Sequence, residues 1–264
     1  MKFIRLQIYQ PQAHYRIPFT YQRRHTYPIP PYSTVIGFLC NLLGIDDQSK
    51  PLFNELKKLK ISIAGRFGAK ITEYIWFRNL SKDSHVRRFG YVDNRSINGH
   101  IEHIGGQSPV SIDVLDEVHL AIHFAHENNA VLDQIKLAIE EPSSRLEVLH
   151  IGRAEDWIVV EKTPEIHDLD ELEPIRRDAD YGHFFWIPER MIGLSNGVSP
   201  FQKHDGLLYN LTTFWKVSDF ETTWNRHGQR QFEYLRTKLN DGLIAGQIIL
   251  YDNEIKLPVF LADL

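Results

Sequence analysis

A strict period of two over Glu117–Ala125 limits what this chain can fold into. Val118, Leu120, Ile122 and Phe124 alternate with His119, Ala121, His123 and Ala125, so the segment reads as a strand with one apolar and one polar face. The same alternation begins the chain: over residues 2–9, Ile4, Leu6 and Ile8 point one way and Arg5, Gln7 and Tyr9 the other. Between these strands the pattern turns helical. Ser33 is a suitable N-cap for a helix over Thr34–Leu43, which Gly44 would end. Leu52, Leu56 and Leu59 share one face of a second, shorter helix. Ile61–Phe67 and Lys70–Arg78 read as strands, Asn129–Glu140 as a helix stopped by Pro142, and Arg145–Ile151 as a strand. The order strand, helix, strand, insertion, strand, helix, strand predicts a ferredoxin-like α+β domain over residues 1–160. RNA-binding RRM modules share that order.

Residues 80–111 interrupt this order with a polar, Gly-containing stretch bearing Arg87, Arg88, Arg95, His100 and His103. So long a segment inside a domain usually has its own function, and it is expected to be an inserted hairpin or loop. After Trp157 the composition shifts. Residues 161–180 hold eight acidic and three basic residues with Pro164 and Pro174, and read as a linker or exposed loop. Strands are predicted at His183–Ile187 and Leu207–Val217, a helix within Trp224–Leu239, and a closing hairpin over Gln247–Leu261 that turns at Asp252-Asn253. Residues 161–264 are therefore expected to form a smaller, β-rich C-terminal lobe.

Charge is polarised along the chain. The net charge is −4, yet residues 1–92 hold 15 Lys and Arg against 5 Asp and Glu, while residues 93–264 hold 15 against 29. No acidic residue precedes Asp46. Such asymmetry suits contact with a polyanion, or pairing of the basic part with the acidic part within one fold. The segment from Arg16 to Thr34 is the richest. Arg16, Arg23 and Arg24 can reach phosphates, and Tyr21, His25, Tyr27 and Tyr32 offer flat faces to unstacked bases. Pro18, Pro28, Pro30 and Pro31 forbid helix and stiffen the track. Ser33 and Thr34 open a helix whose free N–H groups favour anions. In the plainer reading the tyrosines pack on the core and the prolines only lead into the helix.

Several chemistries find no support. Cys40 is the only cysteine, which excludes an intrachain disulfide and a Cys-rich zinc site and fits a reducing cytoplasm. The alternating N-terminus lacks a signal-peptide core, and no stretch approaches the about 18 apolar residues of a membrane helix; a cytoplasmic protein without membrane contact is expected. There is no phosphate-binding Gly loop, nucleophile elbow or HExxH. His119 and His123 lie four apart in a strand with no third ligand, so neither metal nor cofactor is expected. General acid–base cleavage of RNA could recruit His25, Tyr27, His100, His103 or Lys82, as any long basic loop could.

Three stretches resemble the fifth family of CRISPR-associated (Cas) proteins: RIPFTYQRRHTYPIPPYSTVIGFL (Arg16–Leu39), GGQSPVSIDVLDEVHL (Gly105–Leu120) and IGRAEDW (Ile151–Trp157). The first is long and distinctive and the other two are supportive. With the order of elements the likeness covers roughly residues 1–160, and it is greatest to the I-B-type branch. The resemblance implies a RAMP-superfamily, non-catalytic subunit of a type I Cascade complex that binds and caps the 5′ handle of the crRNA. It implies a β-hairpin thumb at about residues 80–111, contacts with the first backbone RAMP subunit and the large Cascade subunit, and at most indirect contact with target DNA. On matching positions it assigns RNA contact to Arg23, Arg24, His25, Tyr27, Pro31, Tyr32, Ser33 and Thr34, to Gly105, Gly106, Gln107 and Ser108, and to Arg153. The charge and aromatic patterns add Arg16, Tyr21, Arg87, Arg88, Arg95 and His103. One branch of the family cuts the guide precursor with a tyrosine and an adjacent Lys-His pair. This chain has no such pair in residues 1–150, only Lys203-His204. Two alternatives stay open: a metal-independent endoribonuclease, and a protein-interaction scaffold whose RNA contact is incidental.

Overall fold

The computed structural model describes residues 1–18, 20, 22–79, 96–97, 100–101, 106–192, 199–218, 229–246 and 248–264, with backbone alone at 77–79, 96–97, 100–101, 106–108, 217–218 and 229–230. Among the described residues strands far outnumber helices, so the fold is mixed and dominated by sheet.

Its axis is the strand β9 (Gly106–His126), 21 residues long. Along one edge β1 (Lys2–Ala13) runs antiparallel to it, from Lys2 opposite His126 to Ala13 opposite Leu115. Along the other edge β5 (Lys60–Arg66) pairs with the inner half of β9. There β6 (Ala69–Asn79) continues outward, from Ala69 opposite Asp116 to Asn79 opposite Gly106. Gly68 N–H donates to the Asp116 carbonyl at the junction. β6 and the outer half of β9 are thus the two legs of a long hairpin growing out of the main sheet. Between them lie β7 (Ser96–Ile97) and β8 (His100–Ile101), paired with each other.

Beyond the other side of β1 lie β10 (Val159–Val160) and β11 (Ile166–Asp168), both antiparallel to it. The central strands therefore stand in the order β10/β11, β1, β9, β5. The helices α1 (Tyr32–Leu42) and α3 (Asn129–Glu140) share a core with one face of these strands. Val35, Leu39 and Leu42 of α1 and Val131, Leu132 and Ile135 of α3 join Ile4, Leu6, Ile8, Ile61, Leu120, Ile122 and Phe124 there. The short α2 (Pro51–Leu56) starts with Pro51 at its first position, where a missing N–H costs nothing. Two expectations change. Arg145–Ile151 forms no strand, only an isolated bridge from His150 to Trp157; the fourth central strand comes later, as β10 and β11. Ser33 is not the N-cap. Pro31 takes that place in an extended conformation without a side-chain cap bond, which moves the helix start upstream to Tyr32.

The C-terminal part continues the same sheet. β14 (Phe184–Pro188) pairs with the outer edge of β5, followed by β16 (Gln229–Asn240) and β15 (Leu207–Ser218). The described part of the predicted Trp224–Leu239 helix is strand β16, because Leu235 and Thr237 are buried while Tyr234 and Arg236 are exposed, a period of two rather than 3.6. The predicted linker at 161–180 carries β11, a 3₁₀ turn at Leu169–Glu171, β12 (Glu173–Arg176) and β13 (Ala179–Asp180). β13 pairs with β17 (Leu243–Ile244). The closing hairpin forms as expected from β18 (Ile248–Asp252) and β19 (Leu257–Val259), with β12 beside β18. β20 (Ala262–Asp263) pairs with β5, and α4 (Pro200–Lys203) precedes β15.

This hairpin layer covers the second face of the main sheet, against Phe3, Ala64, Ala121 and Ala125. The small alanines of β9 let it close down. The face expected to be polar is therefore buried: His123 is 1% exposed. Its Nε2 lies 2.9 Å from Asp252 Oδ2, and Arg5 approaches the same carboxylate at 3.0 Å and Glu254 at 2.7 Å. Burial alone would raise the Asp252 pKa, but His123, Arg5 and the Glu254 N–H bring it down to about 2. Burial holds the His123 pKa below its ordinary value.

Candidate nucleic-acid interface

After β1 the chain forms a narrow basic ribbon. β2 (Tyr15–Arg16) pairs with β4 (Thr26–Tyr27), and Ile17 N–H donates to the His25 carbonyl. Between them β3 (Arg23–Arg24) runs parallel to Ser111–Ile112 of β9. The ribbon is thus hydrogen-bonded to the foot of the long hairpin. The prolines after it stay extended, as their fixed φ requires. Trp186 Nε1 donates to the Pro30 carbonyl at 2.9 Å, and Ile29 seats on the sheet where Gly65 leaves room for it.

Asp113 pins the ribbon. Its carboxylate is 1% exposed and lies 2.9 Å from His25 Nδ1 and 3.5 Å from Arg23, and it accepts from Thr72 Oγ1 at 3.0 Å. Burial pushes its pKa up, yet the hydrogen bonds from His25 and Thr72 and the charges of Arg23 and Lys70 outweigh that and hold it low. The cost of burying this charge is met by partners on three strands or loops. Arg23 keeps 59% of its side chain exposed, and Arg16, bonded only weakly to the Thr20 carbonyl at 3.2 Å, is also exposed.

Arg153 has a different employment. Its guanidinium forks onto Asp156 at 2.7 and 3.0 Å and also approaches Glu155 and Glu73, the last on β6. Asp156 in turn accepts from the backbone N–H of His14 and of Arg153. Gly152 takes φ +115°, and an added Cβ there would stand 2.6 Å from the Asp156 carboxylate. The Ile151–Trp157 loop is thus a clamp between the end of β1 and the hairpin leg.

A groove of about 310 Å³ opens at the start of α1, lined on one side by Arg16, Pro31, Ser33 and Thr34 and on the other by Phe232 and Tyr234 of β16. The first turn of α1 carries no acidic residue, so no side-chain carboxylate offsets the positive end of its dipole there. The structure therefore gathers Arg16, Arg23, Arg24, His25, Ser33 and Thr34 on or beside one ribbon. It does not present Tyr27 and Tyr32 as open faces. Tyr32 is fully buried, and Tyr27 packs edge-on against Trp186 and Tyr209; burial raises the pKa of both phenols. Gly106, Gln107 and Ser108 lie in β9, backbone only. Tyr21, Arg87, Arg88, Arg95, His103, Gly105 and Lys82 lie outside the described residues. Phe232 and Tyr234 escaped notice because a helix was read where β16 stands; alternation at Tyr234, Leu235, Arg236 and Thr237 was the available signal.

Among the described residues no group of three His, Cys, Asp or Glu side chains could hold a metal ion, and no helix is long and apolar enough to cross a membrane. His204 of the Lys203-His204 pair is buried beside Phe260, on the far side of the sheet from α1.

A sequence profile described as "CRISPR-associated protein (Cas_Cas5)" matches residues 3–232. Among solved structures, a chain described as "CRISPR RNA-guided surveillance complex" is similar with a TM-score of 0.55 at 13% identity, covering 92% of this chain and 91% of that one. A crystal structure of a Cas protein aligns with a TM-score of 0.41 at 15% identity over 93% of this chain and 99% of the other. For a CRISPR protein from Archaeoglobus fulgidus the values are 0.36, 11%, 93% and 87%. No curated protein sequence matches.

Proposed function

Because the chain belongs to the CRISPR-associated Cas5 family, we propose that it is a non-catalytic subunit of a type I surveillance complex and binds the 5′ handle of the crRNA. The observation that carries this reading is the basic ribbon itself. It offers Arg16 and Arg23 to solvent, while the neighbouring carboxylate, Asp113, is sealed and already paired. The groove beside it puts Arg16 and the start of α1 opposite two aromatic rings, Phe232 and Tyr234, a combination that suits a phosphate and a base together. The strand order β10/β11, β1, β9, β5 with two helices on one face supports a ferredoxin-like domain, and we assign the β6–β9 hairpin as its thumb. Family membership supports a backbone RAMP subunit and a large subunit as protein neighbours.

The test is equilibrium binding of crRNA-handle RNA over a salt series. Replacing Arg16 and Arg23 by Ala is expected to weaken binding and to lower the salt slope by about 1 per arginine. Unchanged affinity and slope would overturn the assignment. One observation favours the endoribonuclease alternative: His25 is oriented by a buried carboxylate, as a general base often is. Incubation with precursor crRNA in EDTA separates the two, since a nuclease of this kind must leave 2′,3′-cyclic phosphate ends.

A further inference from the structure

The outgoing hairpin carries an exposed aromatic pair that the ribbon does not use. We infer that Tyr74 and Trp76 of β6 form a stacking platform for unpaired bases of single-stranded RNA, with Arg23 and Lys70 beside them for the backbone. This rests on the RNA-binding reading above and extends it to a separate surface.

The two faces of the hairpin differ. On one, Val110, Ile112 and Val114 of β9 are buried, and the half-buried Ile75 packs against them. On the other, cross-strand pairing sets Thr72 against Asp113, Tyr74 against Ser111 and Trp76 against Pro109, and Arg23 against Ser111 from the far side. Tyr74 and Trp76 are 63% and 54% exposed, with ring centroids 6.1 Å apart in an edge-to-face pair. A lone exposed aromatic needs no explanation. Two large rings side by side at i and i+2 on a strand are a standing cost in hydration, and aromatic side chains give large contact area with few rotatable bonds. Ser111 is the small residue between Tyr74 and Arg23 across three strands. With strands about 4.8 Å apart, the backbones that bear the ring and the guanidinium stand about 10 Å apart.

Charge selects the ligand. Lys70, exposed on the same face, and Arg23 supply cations. Among the described residues of that face the carboxylate is Asp113, which is buried, hydrogen-bonded by Thr72 and His25 and only loosely approached by the exposed Arg23 at 3.5 Å. A protein partner would meet a cationic rim it must match with acids; a nucleic acid strand meets it with phosphates and offers π-faces to both rings whatever its sequence.

The experiment compares a short fluorescent oligouridine with the same backbone lacking bases, using the full chain and its Tyr74→Ala/Trp76→Ala form. Intact RNA is expected to bind the double variant about ten-fold or more weaker, while the abasic strand binds both alike and the salt slope stays the same. Tyr74→Phe/Trp76→Phe should restore the affinity, and thermal unfolding controls for loss of fold. Equal affinity of wild type and double variant for oligouridine overturns the platform. If the Arg16 and Arg23 replacements still weaken binding, the handle-binding reading survives that failure; if they too have no effect, both fall. A double variant that keeps its RNA affinity but no longer joins the assembled complex would make this a protein interface and equally overturn the proposal.

Discussion

Asp113 lies between two strands and a ribbon, and its charge is matched by groups from each. Asp113→Asn keeps the shape and removes the charge. Leaving these donors short of an acceptor is expected to cost about 1–3 kcal/mol, and hydrogen exchange at the Ser111 amide, which donates to the Gln22 carbonyl, should quicken. Unchanged stability and exchange would show that backbone pairing alone seats β3. The Arg5–His123–Asp252 cluster makes a prediction about pH. Both His123 and Asp252 have folded pKa values below their unfolded ones. Their contribution is thus complete above the unfolded values, about 6.5 and 3.9, and is lost as pH falls toward the folded values. Urea unfolding should show stability falling first below pH 6.5, through His123, and again from about pH 4 down to about 2, through Asp252. Asp252→Asn should flatten the second step and, by leaving Arg5 buried with a weakened partner, cost about 3–5 kcal/mol at neutral pH. A profile level from pH 7 to 3 would refute the coupling.

Elements differ in how openly their sequences declare them. β1, β9, α1 and α3 are carried by local periodicity; β1, α1 and α3 stand within a few residues of their expected places, whereas β9 begins at Gly106, well before the expected Glu117. β10 and β11 are two and three residues long, too short to show a period, and only pairing with β1 makes them strands. The burial of His123 is equally invisible locally, because it depends on a hairpin 129 residues away. The basic ribbon was legible as a cluster of types, but which aromatic rings stay open was not, since that is settled by Trp186 and Tyr209 packing on Tyr27. Two elements can be tested directly. An Ala at Gly65 would bring a Cβ to 2.7 Å from Leu120 and 2.8 Å from Ile29, so Gly65→Ala should cost about 1–3 kcal/mol; a neutral result would mean Ile29 is not held there. Releasing the clamp with Arg153→Ala should speed exchange in β6 near Glu73, with less effect in β5. Equal acceleration in both strands would assign Arg153 to general stability instead.

At the scale of the molecule, β5 carries β9 on one side and β14 and β20 on the other, and one apolar cluster includes Ile4, Val35, Trp186, Leu211 and Leu235. Chemical unfolding followed by tryptophan fluorescence and by far-ultraviolet circular dichroism is therefore expected to give coincident curves; two separated transitions would show that residues 161–264 unfold on their own. The length of β9 has a mechanical meaning as well. The same backbone that lines the middle of the core runs out to Gly106 with one kink, at Glu117, whose φ is +54°, and beyond it the strand is braced by β6 on one flank and β3 on the other. The projecting part is a cantilever with its root in the main apolar core. A push on its free end is shared with both braces, so it reaches the arginine-bearing strand before it reaches the kink at the root.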